Sequence, residues 1–150
     1  MEFGGDKYIL GLKTVFASEF SFYLKAHYFH WNVEGPNFPQ LHSLFGSIYE
    51  EVYGCIDDFA ENIRKLGAYT PGSLQRFSML SAIDDEKDIP LARDMVAELM
   101  NDSDKMAEMF KILFTQAEEH GDHGLSNFLA DRQDAHKKHS WQLRATLKGQ

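Results

Sequence analysis

Cysteine is almost absent, with Cys55 alone among 150 residues. A single thiol closes no internal disulfide, so a reducing, cytoplasmic setting is expected, with Cys55 a packing residue inside a helix. Proline is scarce, at four, and runs of alternating Val, Ile and Thr are missing, which leaves little basis for strands. No apolar run reaches the length of a membrane-spanning helix, so no membrane partner is expected. The opening MEFGGDKY has neither the basic n-region nor the apolar h-region of a signal peptide. Positive charge is also short. Fifteen Lys and Arg face 23 Asp and Glu, a net charge of −8. Such a chain has no general attraction for nucleic acid, whereas its acidic surface favours cations.

What is present suits a packed helical protein. Hydrophobic residues make up 43% and aromatics 13%, enough for one domain over residues 1–150 with a proper core. From Lys7 to Trp31, apolar positions recur at helical spacing through Leu12, Val15, Phe16, Phe20, Tyr23 and His27. The breakers Glu34-Gly35-Pro36-Asn37 stop that helix. A second helix is expected from Phe38 to Leu66, with Leu41, Leu44, Phe45, Ile48, Val52, Cys55, Phe59 and Ile63 inward and Gly67 as its stop. Ser73 can cap a short helix reaching Met79. Pro90, preceded by Asp84-Asp85-Glu86, marks the start of a third long helix reaching Glu119. Its inward positions are Leu91, Met95, Leu99, Met106, Phe110 and Leu113. After the break at His120-Gly121-Asp122, a last helix carries Leu125, Phe128, Leu129, Ala135, Trp141, Leu143 and Leu147. Two short connections and one long one predict an all-α four-helix bundle with a short extra helix in the crossover, the topology of ferritin-like folds.

The residues richest in chemistry lie between His30 and Glu61. His30 opens HWNVEGPNF, His42 follows, and Asp57 and Glu61 stand four apart in D-x-x-A-E, on one helix face. Two imidazoles and two carboxylates suit a borderline transition metal such as iron(II) or zinc. On one continuous helix, however, His42 and Asp57 are about 22 Å apart along the axis, at roughly 1.5 Å per residue. Either these four residues are unrelated polar positions, or the site forms between two antiparallel subunits. A di-metal site inside the bundle would carry Glu-x-x-His motifs. No histidine here has a carboxylate three residues before it; those positions hold Leu24, His27, Pro39, Ala117, His120, Gln133 and His136. A bundle-core site is therefore not expected. His27 lies one turn before His30, and its alternatives are an auxiliary ligand or a packed polar residue.

The words HWNV-x-G-x-x-F, Leu41-His42, Phe45, Tyr49 and D-x-x-A-E-x-I, with the later DRQDAHKKHSWQL, resemble the Dps-type mini-ferritins over essentially the whole chain. The resemblance implies a hollow homo-oligomer, a dodecamer. Its ferroxidase activity oxidises iron(II) with hydrogen peroxide or oxygen and stores iron(III) inside, protecting against oxidative damage. It places ligands on His30, His42, Asp57 and Glu61 at two-fold interfaces, a nearby electron donor on Trp31, whose other role is packing, and a pore on Asp122 and Asp131. Two departures stand out. Gly46 occupies a position where that family usually has an acid, and no lysine-rich arm is visible, with Lys7 and Lys13 the only early lysines. DNA binding is accordingly expected to be weak or absent. The alternative function is a DNA-compacting protection protein with a weak or inert metal site.

Overall fold

The computed structural model describes residues 6–149; residues 1–5, part of the MEFGGDKY stretch read above, and the terminal Gln150 lie outside the described residues. Among the described residues are five helices and no strand: α1 (Asp6–Asn32), α2 (Phe38–Lys65), α3 (Leu74–Leu80), α4 (Ala92–Glu119) and α5 (His123–Leu147). α1 and α2 form one hairpin, α4 and α5 a second, α1 packs on α4, and α3 lies against α1 in the crossover. The turn residues act as their chemistry dictates. Gly35 takes φ 122° between α1 and α2, and Gly67 takes φ 85° after α2, a conformation that disfavours any residue with a Cβ. Ser73 caps α3 by accepting from the Arg76 amide at 3.2 Å, and Asp122 caps α5 through the Leu125 amide at 3.1 Å.

α2 runs unbroken for 28 residues through both Gly46 and Gly54. Its inward stripe is buried as its spacing predicts, with Leu44 half-buried at the edge. The crossover is pinned to α1. The Ser18 hydroxyl accepts from the Ala82 amide at 2.8 Å, and Phe77 stacks on Phe20 with ring centroids 4.6 Å apart. Leu91, expected inward, is the exposed N-cap of α4; the helix begins one residue later, so Met95 and Val96 are its first core positions.

The core departs from the expected pattern in α1 and α5. α1 buries Leu12, Val15, Phe16, Phe22, Ala26 and Phe29, whereas Phe20, Tyr23 and His27 are only half-buried. The true stripe passes through Glu19, which is fully buried. In α5, Leu125, Leu129 and Leu143 are buried, but the stripe between them is Arg132, His136, His139 and Ser140, while Trp141 is turned outward. These polar positions meet at the centre of the bundle. Glu19 Oε2 accepts from Arg132 Nη2 at 3.0 Å, and Oε1 from His136 Nε2 at 2.7 Å. Arg132 Nη1 and Nη2 also donate to the two oxygens of Glu51, whose Oε1 accepts from His139 Nε2 at 2.7 Å. The Ser103 hydroxyl of α4 lies 3.1 Å from His136 Nδ1, so the network spans all four long helices.

The charges in this network are set by competition between burial and pairing. Burial raises the Glu19 carboxyl, but His136 and Arg132 outweigh it and hold the group below its ordinary range. Glu51 is likewise resisted by burial, yet its bonds to His139 and Arg132 bring it down to about 2. Burial lowers His136 despite the carboxylate beside it, and the Ser103 hydroxyl beside its Nδ1 donates to the His136 carbonyl at 2.9 Å. The Cys55 thiol, 3.8 Å from Glu19, is pushed well up by burial and then by the Glu19 charge. It is a packing residue, as its place in α2 suggested. Around this centre Phe22, Phe29, Phe45, Phe59 and Phe110 are fully buried, each contributing about 1.5–3 kcal/mol by area burial. The apolar shell stabilises the bundle, and the network within it penalises any arrangement that separates its charges.

Two outcomes follow from the network. Arg132→Met leaves the buried Glu19 without its cation and is expected to cost about 3–5 kcal/mol, read as a drop in the thermal midpoint. Adding Glu19→Gln should recover a large part of that loss, and a double variant no more stable than Arg132→Met would remove the charge argument. Glu51, with its depressed carboxyl, contributes stability that is fully present above the ordinary carboxylate range and is lost as pH falls toward about 2. Denaturant unfolding between these limits should therefore show a shallower pH slope in Glu51→Gln than in the wild type.

Candidate metal centre

At the closed end of the first hairpin, beside the connecting turn, the last turn of α1 meets the first turns of α2. Here the structure brings His30 and His42 together with their rings stacked, centroids 3.7 Å apart and 18° between planes. The bonding is reciprocal. His30 Nδ1 donates to the His42 carbonyl and His42 Nδ1 to the His30 carbonyl, each at 2.7 Å. A carbonyl only accepts, so Nδ1 carries a proton on both rings, and in the neutral form of such a ring Nε2 is the nitrogen with the lone pair. The His30 carbonyl lies in the final turn of α1, where main-chain oxygens lack helical partners. The His42 ring thus satisfies a helix end while its own metal-binding nitrogen stays free. A backbone bond on the second ring nitrogen is also what orients a ligating histidine.

Gly46 lies beneath this pair. A Cβ at that position would meet His30 Cε1 at 3.1 Å and Nδ1 at 3.2 Å. The His30 ring cannot readily give way, because His42 stacks on its other side and its Nδ1 is tied to the backbone. The glycine is the seat of the ring, a cause the sequence showed only as a missing acid.

The carboxylates stand apart from the histidines. Asp57, Asp58 and Glu61 offer ligand oxygens within 4.8 Å of one another, all exposed. None of Asp57 or Glu61's oxygens has a hydrogen-bond partner among the described residues. Since α2 is continuous, the separation of about 22 Å from His42 stands, and within one chain the two half-sites do not meet. Each half offers donors suited to iron(II), nitrogen on one and hard oxygen on the other.

Between the two halves the α1–α2 face carries aromatics. His27 stacks face to face on Tyr49, at 3.7 Å and 7°, with Trp31 on it at 4.1 Å. Its Nδ1 is 3.0 Å from the Tyr23 hydroxyl, and burial, then the charge of His30, lowers its pKa. Trp31 is 57% exposed; it packs on His27 outside the core, because the buried stripe of α1 runs along its other side. Asp122 and Asp131, expected at a pore, have separate surroundings. Asp122 is the α5 cap, half-buried, and Asp131 is exposed along α5. Nearby, His120 stacks on Tyr8 at 4.4 Å, and burial, aided by Asp122, pushes the Tyr8 hydroxyl up to about 12.

Glu19, Glu51 and Arg132 were missed by sequence reasoning, as was any role for His136 and His139. Their signal was a set of charged residues lying in register with buried stripes. Among the described residues, no helix is long and apolar enough to cross a membrane.

The profile of the ferritin-like domain family matches residues 9–149. The DNA protection during starvation protein of Brevibacillus brevis is 35% identical over 129 residues, covering 83% of this chain and 84% of that protein. The crystal structure of a Dps protein from Bacillus brevis superposes with a TM-score of 0.89 at 31% identity, over 93% of this chain and 94% of that one. A Dps protein from Vibrio cholerae O1, described as a member of a broad superfamily of ferritin-like diiron-carboxylate proteins, gives a TM-score of 0.89 at 28% identity, over 94% and 89% of the two chains. With its helical bundle, its crossover helix and its paired histidines, the chain belongs to the ferritin-like domain family and is a Dps-type mini-ferritin.

Proposed function

We propose that the protein is a ferroxidase that oxidises iron(II) at sites shared between two subunits and stores the iron(III) product inside a closed homo-oligomer. The observation that carries this reading is the separation of two incomplete half-sites on one unbroken helix. His30 and His42 present two fixed Nε2 lone pairs, and Asp57 and Glu61 present free oxygens about 22 Å away. An antiparallel second copy brings each half opposite its complement. The histidines orient the iron(II) substrate, and the carboxylates favour the higher charge of iron(III) over iron(II). With hydrogen peroxide as oxidant, two iron(II) ions each lose one electron, and the peroxide takes both electrons and two protons to become two waters. Trp31, exposed beside His27, is the nearby electron donor in this reading. A dodecameric shell entered past Asp122 and Asp131, in a cytoplasmic setting, completes the reading.

Subunit mixing tests it. A His30→Ala/His42→Ala protein and an Asp57→Ala/Glu61→Ala protein should each lose most ferroxidase activity in stopped-flow absorbance while still assembling. Co-expressed, they should regain a substantial fraction, because one interface of a mixed dimer receives both intact halves. Verified mixed oligomers as inactive as their parents would sink the shared site.

A DNA-compacting role fits poorly with a net charge of −8, since binding to the phosphate backbone rests on released counterions and therefore on basic residues. Gel-shift titration at physiological salt should show no stable complex. Tight binding that weakens steeply with added salt would bring that role forward.

A further inference from the structure

The histidine pair has a third neighbour with the same design. His42, His30 and His27 follow one another along the α1–α2 face. In each, Nδ1 is engaged, by a carbonyl in the first two and by the Tyr23 hydroxyl in His27, and in none does Nε2 have a partner among the described residues. His27 is also held by aromatics, stacked face to face on Tyr49 at 3.7 Å with Trp31 tilted 37° against it at 4.1 Å. A partly exposed imidazole with no coordinating task has little need of two aromatic walls and a tether. Beneath His30 no side chain is available as a ligand, because a Cβ at Gly46 would meet the ring at 3.1 Å.

From this placement we infer that His27 is a ligand for a second divalent metal ion, bound on the His27 side of His30. The inference rests on the shared-site reading and deepens it by assigning nitrogen where a carboxylate is missing. The spacing supports it. The His27 and His30 rings have centroids 6.0 Å apart. A metal on Nε2, at about 2.1 Å, lies about 3 Å from its ring centre. Two rings so spaced are too far apart to meet at a right angle on one ion, and they suit two ions at the roughly 3.5–4 Å separation of two-metal sites. The Tyr23 hydroxyl can act as donor or acceptor, so a metal on His27 Nε2 selects the form in which Nδ1–H donates to it. A metal held this way has a larger share of nitrogen ligands than one held by carboxylates, which favours zinc and cobalt(II) relative to iron(II) there.

Cobalt(II) and zinc(II) serve as probes, since neither turns over. Titration of the assembled protein with cobalt(II), followed by its visible absorption, should reach two ions per chain at the histidines. His27→Gln, which keeps a planar side chain between the same aromatic walls, should reach one. An unchanged count in His27→Gln, or a single ion in the wild type, overturns the assignment of His27 while leaving the first site standing. If the His30→Ala/His42→Ala protein titrates like the wild type, the shared site and the inference fall together. A second measurement needs no variant. Diethyl pyrocarbonate modifies free imidazole nitrogen, and peptide mass spectrometry reads each histidine. Saturating zinc should protect His27, His30 and His42 alike. Protection of His30 and His42 with His27 still modified contradicts the second site, and protection of none contradicts both.

Discussion

The bundle is organised around one carboxylate that has no access to water. Glu19 is completely buried, and an unpaired charge at that depth would be more costly than the burial of any single phenylalanine around it is favourable. Its two oxygens are therefore assigned, one to the Arg132 guanidinium and one to His136. Each partner brings further obligations. Arg132 reaches on to Glu51 in α2, Glu51 to His139, and His136 to Ser103 in α4. A shift of any long helix by one turn would separate a donor from its acceptor. The hydrophobic stripes supply most of the stabilisation, but they tolerate sliding; the polar centre fixes the register in which α1 and α2 lie side by side. The opposition of His30 to His42 depends on that register.

The second constraint is the continuity of α2. Its two glycines do not interrupt it. A continuous helix holds two sets of metal donors apart as firmly as it holds its own turns together. On the proposed function the active arrangement is thus postponed to the level of assembly, and an isolated chain carries only the halves. On that same proposal the separation is useful, because a lone chain would offer each ion an incomplete ligand set.

How much of this the residues disclosed depends on whether the informative contact is local. The extent of α2, its apolar stripe, the Ser73 cap and the closeness of His30 and His42 across a short turn follow from spacing and turn chemistry, and the sequence shows them. α1 was read one row off. A search for apolar recurrence passes over Glu19 and settles on Phe20, Tyr23 and His27, which form a flank against α2. The central network is invisible for a related reason. Glu19 and Arg132 are 113 positions apart, charged residues are rarely buried, and nothing local marks either as half of a pair. The clue available was geometric: Arg132, His136 and His139 continue the stripe of Leu125 and Leu129. Gly46 shows the opposite limit, where sequence reports what a position lacks and only the packed ring shows what the lack permits.

The reciprocal bonds of His30 and His42 divide each imidazole into two unlike ends. The Nδ1 end belongs to the backbone, and the Nε2 end has no partner among the described residues. In the proposed function the end that would hold iron is therefore not the end that joins α1 to α2. The bonds that close the hinge use none of the atoms that an arriving or departing ion would take.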